Sequence, residues 1–162
     1  MTPNTLEITI PPNWDDIERI RAETEGFLRS KGFGDEVITT LLMVSSELAE
    51  NAVKYGNFSR SPGNITHCVD VASGHITVEV RHPTRVEDTF HLARLDREIQ
   101  RIRGFQNPFE AYLQKVREVS AREMHDRESG LGLVRIAYEG QSILDFFLDD
   151  GGVLCVSAVY YE

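Results

Sequence analysis

Between residues 37 and 55, apolar side chains recur at helical spacing: Val37, Ile38, Leu41, Leu42, Val44, Leu48, Ala52 and Tyr55. That period predicts a long amphipathic helix from about Asp35 to Tyr55, closed by Gly56-Asn57 as a C-terminal cap. A shorter run with Ile17, Ile20, Phe27 and Leu28 predicts a helix ending near Ser30, with Asn13 as its N-cap and Asp15 and Asp16 in its first turn. Elsewhere the period is two. Thr5 to Ile10 alternates and stops at Pro11-Pro12, as an edge strand would. Ile65 to Val71 and His75 to Arg81 predict a hairpin around Ala72-Ser73-Gly74, with Ile65, Val69, Ile76, Val78 and Val80 inward and His67 and His75 on the strand surface. Two further strands, Ser142 to Leu148 and Val153 to Tyr160, flank the turn Asp149-Asp150-Gly151-Gly152. Between these pairs lie three more helical runs. Leu92, Leu95, Ile99 and Ile102 stripe the first; Asn107-Pro108-Phe109-Glu110 opens the second with a cap, a first-turn proline and a box acid; Gly130 to Glu139 forms the third. A mostly antiparallel sheet with helices on one face, an α+β two-layer sandwich, accommodates this order as one domain over residues 1–162.

Composition narrows the class. The chain has 162 residues, 41% of them hydrophobic, which is enough for one real core. No stretch is long and apolar enough for a membrane span and the N-terminus lacks a signal-peptide pattern, so a cytoplasmic protein is expected. Cys68 and Cys155 fall inside strands without metal-ligand spacing and read as small buried thiols with no disulfide. A net charge of −9 argues against nucleic acid or an anionic membrane as partner. It also means that any phosphate-bearing ligand needs locally built positive potential, from backbone N–H groups, Mg²⁺ and a few basic residues.

The central helix also has a polar face. Glu47, Asn51 and Lys54 lie within about 60° of one another around it, with Glu50 alongside. Taken alone, Glu50 and Lys54 make an ordinary surface pair and nothing more is required. Far downstream, Gly130-Leu131-Gly132-Leu133 opens another apolar helical run, where glycines let N–H groups approach an anion or simply relieve crowding. Together, Glu-Leu-x-x-Asn-Ala-x-Lys-Tyr-Gly (47–56) and Gly-Leu-Gly-Leu (130–133) resemble the N-box and G2-box of the GHKL, or Bergerat-fold, ATPases. The branch they resemble most is the small stand-alone serine kinases and anti-sigma factors of bacterial partner switching, and the resemblance spans roughly residues 35 to 160.

The resemblance implies the α+β Bergerat sandwich, ATP and Mg²⁺ as cofactors, and a protein partner, with room for a homodimer. Glu47 would be the catalytic base. Asn51 would be the metal ligand, and Asn51, Lys54, Gly130, Leu131 and Gly132 would bind the nucleotide, with Arg127 and Arg135 as further phosphate contacts. The pattern fails at the G1 box. Where an adenine-reading Asp and two glycines belong, the chain reads Arg81-His82-Pro83-Thr84-Arg85-Val86-Glu87-Asp88, and neither Glu87 nor Asp88 has a matching setting. Residues of about 84–128, in place of the family's ATP lid, predict a lid or partner-binding helical insertion with Arg94 and Arg101 exposed. Three readings therefore stay open: an ATP-dependent protein serine/threonine kinase or anti-sigma-type regulator acting on a protein antagonist, a non-catalytic adaptor on the same fold that has lost nucleotide binding, and a globular domain in which the motif pair is accidental.

Overall fold

The computed structural model describes residues 3–59, 63–84, 89–121 and 131–162. In chain order these form β1 (Thr5–Ile10), a 3-10 turn (Trp14–Asp16), α1 (Ile17–Ser30), α2 (Asp35–Tyr55), β2 (Ile65–Ala72), β3 (His75–Pro83), α3 (Thr89–Gly104), α4 (Pro108–Ala121), α5 (Leu131–Tyr138), β4 (Ser142–Leu148) and β5 (Val153–Tyr161). The strands make a five-stranded sheet in the order β1-β2-β3-β5-β4, antiparallel throughout. Helix α2 lies on β2 and β3, α1 on β1 and α2, and α5 on α2 and β4. This is the expected sandwich, with β1 at an edge as its proline stop implied.

Register decides what faces the helices. Ile8, Ile65, Val69, Val78, Val80, Val156, Ala158 and Leu144 project inward and are buried against Leu41, Val44, Leu48 and Ala52 of α2 and Leu133 and Ile136 of α5. Burying one such Leu, Ile or Val side chain is worth roughly 1.5–3 kcal/mol, so this shared stripe holds the layers together. His67 overturns its expected surface position. It pairs with Ile8 on one side and Val80 on the other, is fully buried, and neither ring nitrogen has a hydrogen-bond partner. Burial pulls its pKa down to about 4, so the ring is neutral at physiological pH. Gly56 caps α2 in an extended conformation (φ −67°, ψ 153°), not the left-handed one a glycine cap suggests. Its glycine is needed for space, because the Phe58 ring and the Ala52 carbonyl occupy the room of a Cβ.

The segment expected as a lid or partner-binding insertion contributes core residues from its described helices. Ile99 and Ile102 of α3 and Ala111 of α4 join the buried cluster, and the Asn107 side chain caps α4 by accepting from Phe109 N–H at 3.0 Å. Between the two helices lies a buried charge cluster. Lys115, 1% exposed, sits 3.1 Å from Glu98 and 3.8 Å from Glu118, while Arg101 is 3.0 Å from Glu118. Arg94 and Arg101 are thus half-buried rather than exposed: Arg101 is tied into this network between α3 and α4, and Arg94 lines a cavity between α3 and α2. Glu87, Asp88, Arg127 and Gly130 lie outside the described residues.

Candidate functional site

A cavity of about 230 Å³ opens between α2, α3, the start of α5 and the sheet. Its floor is Val80, His82 and Thr84 of the β3 end with Leu154 and Val156 of β5. One wall is the polar face of α2, which presents Glu47, Glu50, Asn51 and Lys54 because these positions fall opposite the buried stripe. The facing wall is α3, with His91, Leu92, Leu95 and Glu98. Gly132 closes one end, and the half-exposed Trp14 joins the rim. Four residues singled out from the sequence, Glu47, Asn51, Lys54 and Gly132, therefore line one space although 78 positions separate Lys54 from Gly132. Leu131 packs against the hydrophobic core instead.

At the Gly132 end the contacts are tight. A Cβ placed on Gly132 would stand 2.5 Å from Glu47 Oε2 and 3.9 Å from Asn51 Nδ2, so a glycine is required here for the Glu47 carboxylate to lie against the first turn of α5. Arg135 reaches back from the same helix and donates from Nη1 to Glu47 Oε1 at 2.6 Å; its Nε donates to Glu139 at 3.1 Å. Burial pushes the Glu47 carboxyl above the usual carboxylate range, the Arg135 guanidinium opposes that, and Glu50 adds to it. Lys54 holds its ammonium over the Tyr55 ring, 5.1 Å from the centroid, and Tyr55 in turn meets His91 of α3. Arg135 had been expected as a phosphate contact; the structure pairs it with the candidate base.

At the other end, β3 ends in Pro83 and Thr84 rather than in an acid and glycines. Thr84 donates to Gly152 O from both its N–H (2.7 Å) and its hydroxyl (3.1 Å), and Asn57 N–H donates to Pro83 O at 2.9 Å. His82 is buried with Nδ1 3.1 Å from Pro83 O; a carbonyl only accepts, so the proton belongs on Nδ1. Sequence reasoning missed His82, Thr84, His91 and Glu98 as lining residues. Glu98 had a signal available: it follows Leu95 by three positions and so borders the apolar stripe of α3.

Chemically the cavity is an apolar slot with a carboxylate, a carboxamide and an ammonium along one wall. Among the described residues there is no group of three or more His, Cys, Asp or Glu that could hold a metal ion. Asn51 supplies one oxygen of the hard type that Mg²⁺ prefers, and a cation that keeps waters and bridges phosphates needs few protein ligands. The donor set at this end thus fits a magnesium-bound phosphate chain. No described helix is long and apolar enough to cross a membrane.

The fold is similar to that of a solved chain in the SiaB–SiaC complex from Pseudomonas aeruginosa, with a TM-score of 0.70, 21% identity, and coverage of 95% of this chain and 88% of that one. No curated protein matches. A family model described as the histidine kinase-like ATPase domain matches residues 10–138, most of the chain. This protein belongs to the histidine kinase-like ATPase family.

Proposed function

We propose that the protein is a cytoplasmic, ATP-binding regulatory kinase of the serine/threonine type, acting in a partner switch on a protein antagonist. The observation that carries this reading is the meeting of Glu47, Asn51 and Gly132 at one end of the cavity. Asn51 would hold Mg²⁺, which supplies charge neutralisation on the triphosphate; Lys54 and the first turn of α5 would face the phosphates, with Gly130 and Leu131 leading into that turn. Glu47 takes the proton of the partner's hydroxyl as that oxygen forms its bond to the γ-phosphorus, and the bond to the bridging oxygen breaks with its electron pair leaving on ADP. A protein partner suits the surface. The chain is acidic, and Ile143, Phe147, Leu148 and Tyr161 are exposed on β4 and β5, where a partner or a second copy of the chain would cover them. The SiaB–SiaC complex, by its name, pairs two proteins on a related fold.

The adaptor reading has its own supporting observation: the β3 end is tied to neighbouring loops, and its described residues offer neither the acid nor the glycines of a purine reader. A phosphotransfer assay with the candidate partner encoded beside this protein separates the two. Glu47→Ala should leave nucleotide binding nearly intact and lower phosphotransfer by about 10² to 10⁴, the scale of a positioned base. Transfer unchanged by that substitution removes the catalytic role and leaves the adaptor.

A further inference from the structure

We infer that Arg135 is the positioning residue of this site: it acts through Glu47, neutralising and orienting the carboxylate so that an anionic phosphate chain can lie beside it, and does not hold phosphate itself. The inference rests on the nucleotide-binding reading given above.

Geometry carries it. The Glu47 side chain is only 16% exposed; Oε1 accepts from Arg135 Nη1 at 2.6 Å, and Oε2 occupies the room that a Cβ on Gly132 would need. The charge-assisted hydrogen bond, in a space that only a glycine leaves open, restricts how the group can turn. Arg135 is itself held from the far side, where Nε donates to Glu139 Oε2, so its fork spans two carboxylates. Turning that fork toward a phosphate would abandon Glu47, leaving a largely buried carboxylate unpaired next to a second anion.

The charge around Glu47 makes the need concrete. From α2 the cavity wall carries Glu50 and Lys54, and from α3 His91, Arg94 and Glu98; behind Glu47 stand Arg135 of α5 and Glu139 just past its end. Glu98 is backed by buried Lys115 at 3.1 Å. Glu47 is treated alike, by Arg135. Each of these two wall acids thus has its own cation within salt-bridge distance, and neither Lys115 nor Arg135 lines the cavity.

A double-mutant cycle read by isothermal titration of ATP with Mg²⁺ tests this, using the full chain, Arg135→Ala, Glu47→Gln and the double variant. Arg135 is partly exposed on α5, and thermal melts establish that each variant is folded. Arg135→Ala should weaken ATP binding about tenfold in the parent, and by less than about twofold once Glu47 is already neutral, because contacting residues are coupled. Arg135→Lys, which keeps the charge but loses the fork, should recover part of that loss and bind more tightly than Arg135→Ala. Equal losses in both backgrounds would show that Arg135 meets the phosphates directly, and no loss in either, or a Lys variant as weak as Ala, would equally overturn the inference. A parent that binds no nucleotide at all is a different result, since it ends the nucleotide reading and this inference with it.

Discussion

The two ends of the cavity are built by different means. At the Glu47 end, one helix places three polar groups by its own period, and a single glycine admits the carboxylate to the next helix. At the His82 end, a strand terminus and the Gly152 turn converge, and their polar groups are spent on one another, Thr84 on Gly152 and Asn57 on Pro83; along the α3 wall Glu98 is likewise spent on Lys115. The first end keeps Glu47, Asn51 and Lys54 on the cavity wall, with Glu47 paired to Arg135 from behind. The second uses most of its chemistry to hold its own wall, so in our reading it grips a phosphate chain better than it reads a base.

If the α3–α4 wall is structural, Lys115→Ala should be the most damaging change in it. It removes the nearer partner of Glu98, which keeps only Arg101 at 3.8 Å, and should cost about 3 kcal/mol of stability, measured by denaturant unfolding, whereas replacing both Lys115 and Glu98 with apolar residues of similar volume should recover most of that. A loss below 1 kcal/mol for Lys115→Ala would mean that the helices are a loosely attached lid after all.

A second test asks whether both ends rest on one cooperative floor. His67 packs beside Val80, which lines the cavity. Its pKa is lowered from 6.5 to about 4 in the folded chain, so below pH 6.5 the unfolded chain binds a proton that the folded chain refuses. Stability contributed by this group is complete above pH 6.5, falls as the pH drops toward 4, and is flat below that, a loss of about 3 kcal/mol. His67→Phe, or a similar apolar ring, should flatten that slope in unfolding measurements between pH 4 and 6.5; an unchanged slope would mean that His67 is not the source.

The smallest expected effect concerns base selection. Among the described residues the β3 end has no acid to accept from an adenine amino group, so ATP and GTP should bind within about tenfold of each other, since an apolar slot discriminates weakly between similar shapes. Competition titration measures this directly, and a preference of a thousandfold would reveal a base reader that the His82 end conceals.

What was legible in the sequence follows the same division. Helix α2 runs over the residues its apolar period marked, and its polar face points where the period put it, because both are local consequences of 3.6 residues per turn. Strand alternation already placed His67 on the same face as Ile65 and Val69; the residue type suggested a surface, and the period was the better guide. Arg135 was recognisable as a basic residue near the glycines, but its partner lies 88 positions away and depends on how α5 docks on α2. The α3 segment was legible as an amphipathic stripe and, through the resemblance, as a lid or partner-binding insertion; which of its side chains line the cavity was not legible, since nothing local says how the segment packs over the sheet.

Isothermal titration of ATP into the full chain, with and without Mg²⁺, tests the central claim most directly. The account predicts one nucleotide per chain, bound only with Mg²⁺ present and weakened by Asn51→Ala, at an affinity below that of family members that keep the adenine-reading acid by roughly 1–3 kcal/mol. No detectable binding of ATP, ADP or GTP at millimolar concentration would contradict it and leave a partner-binding adaptor on an ATPase fold.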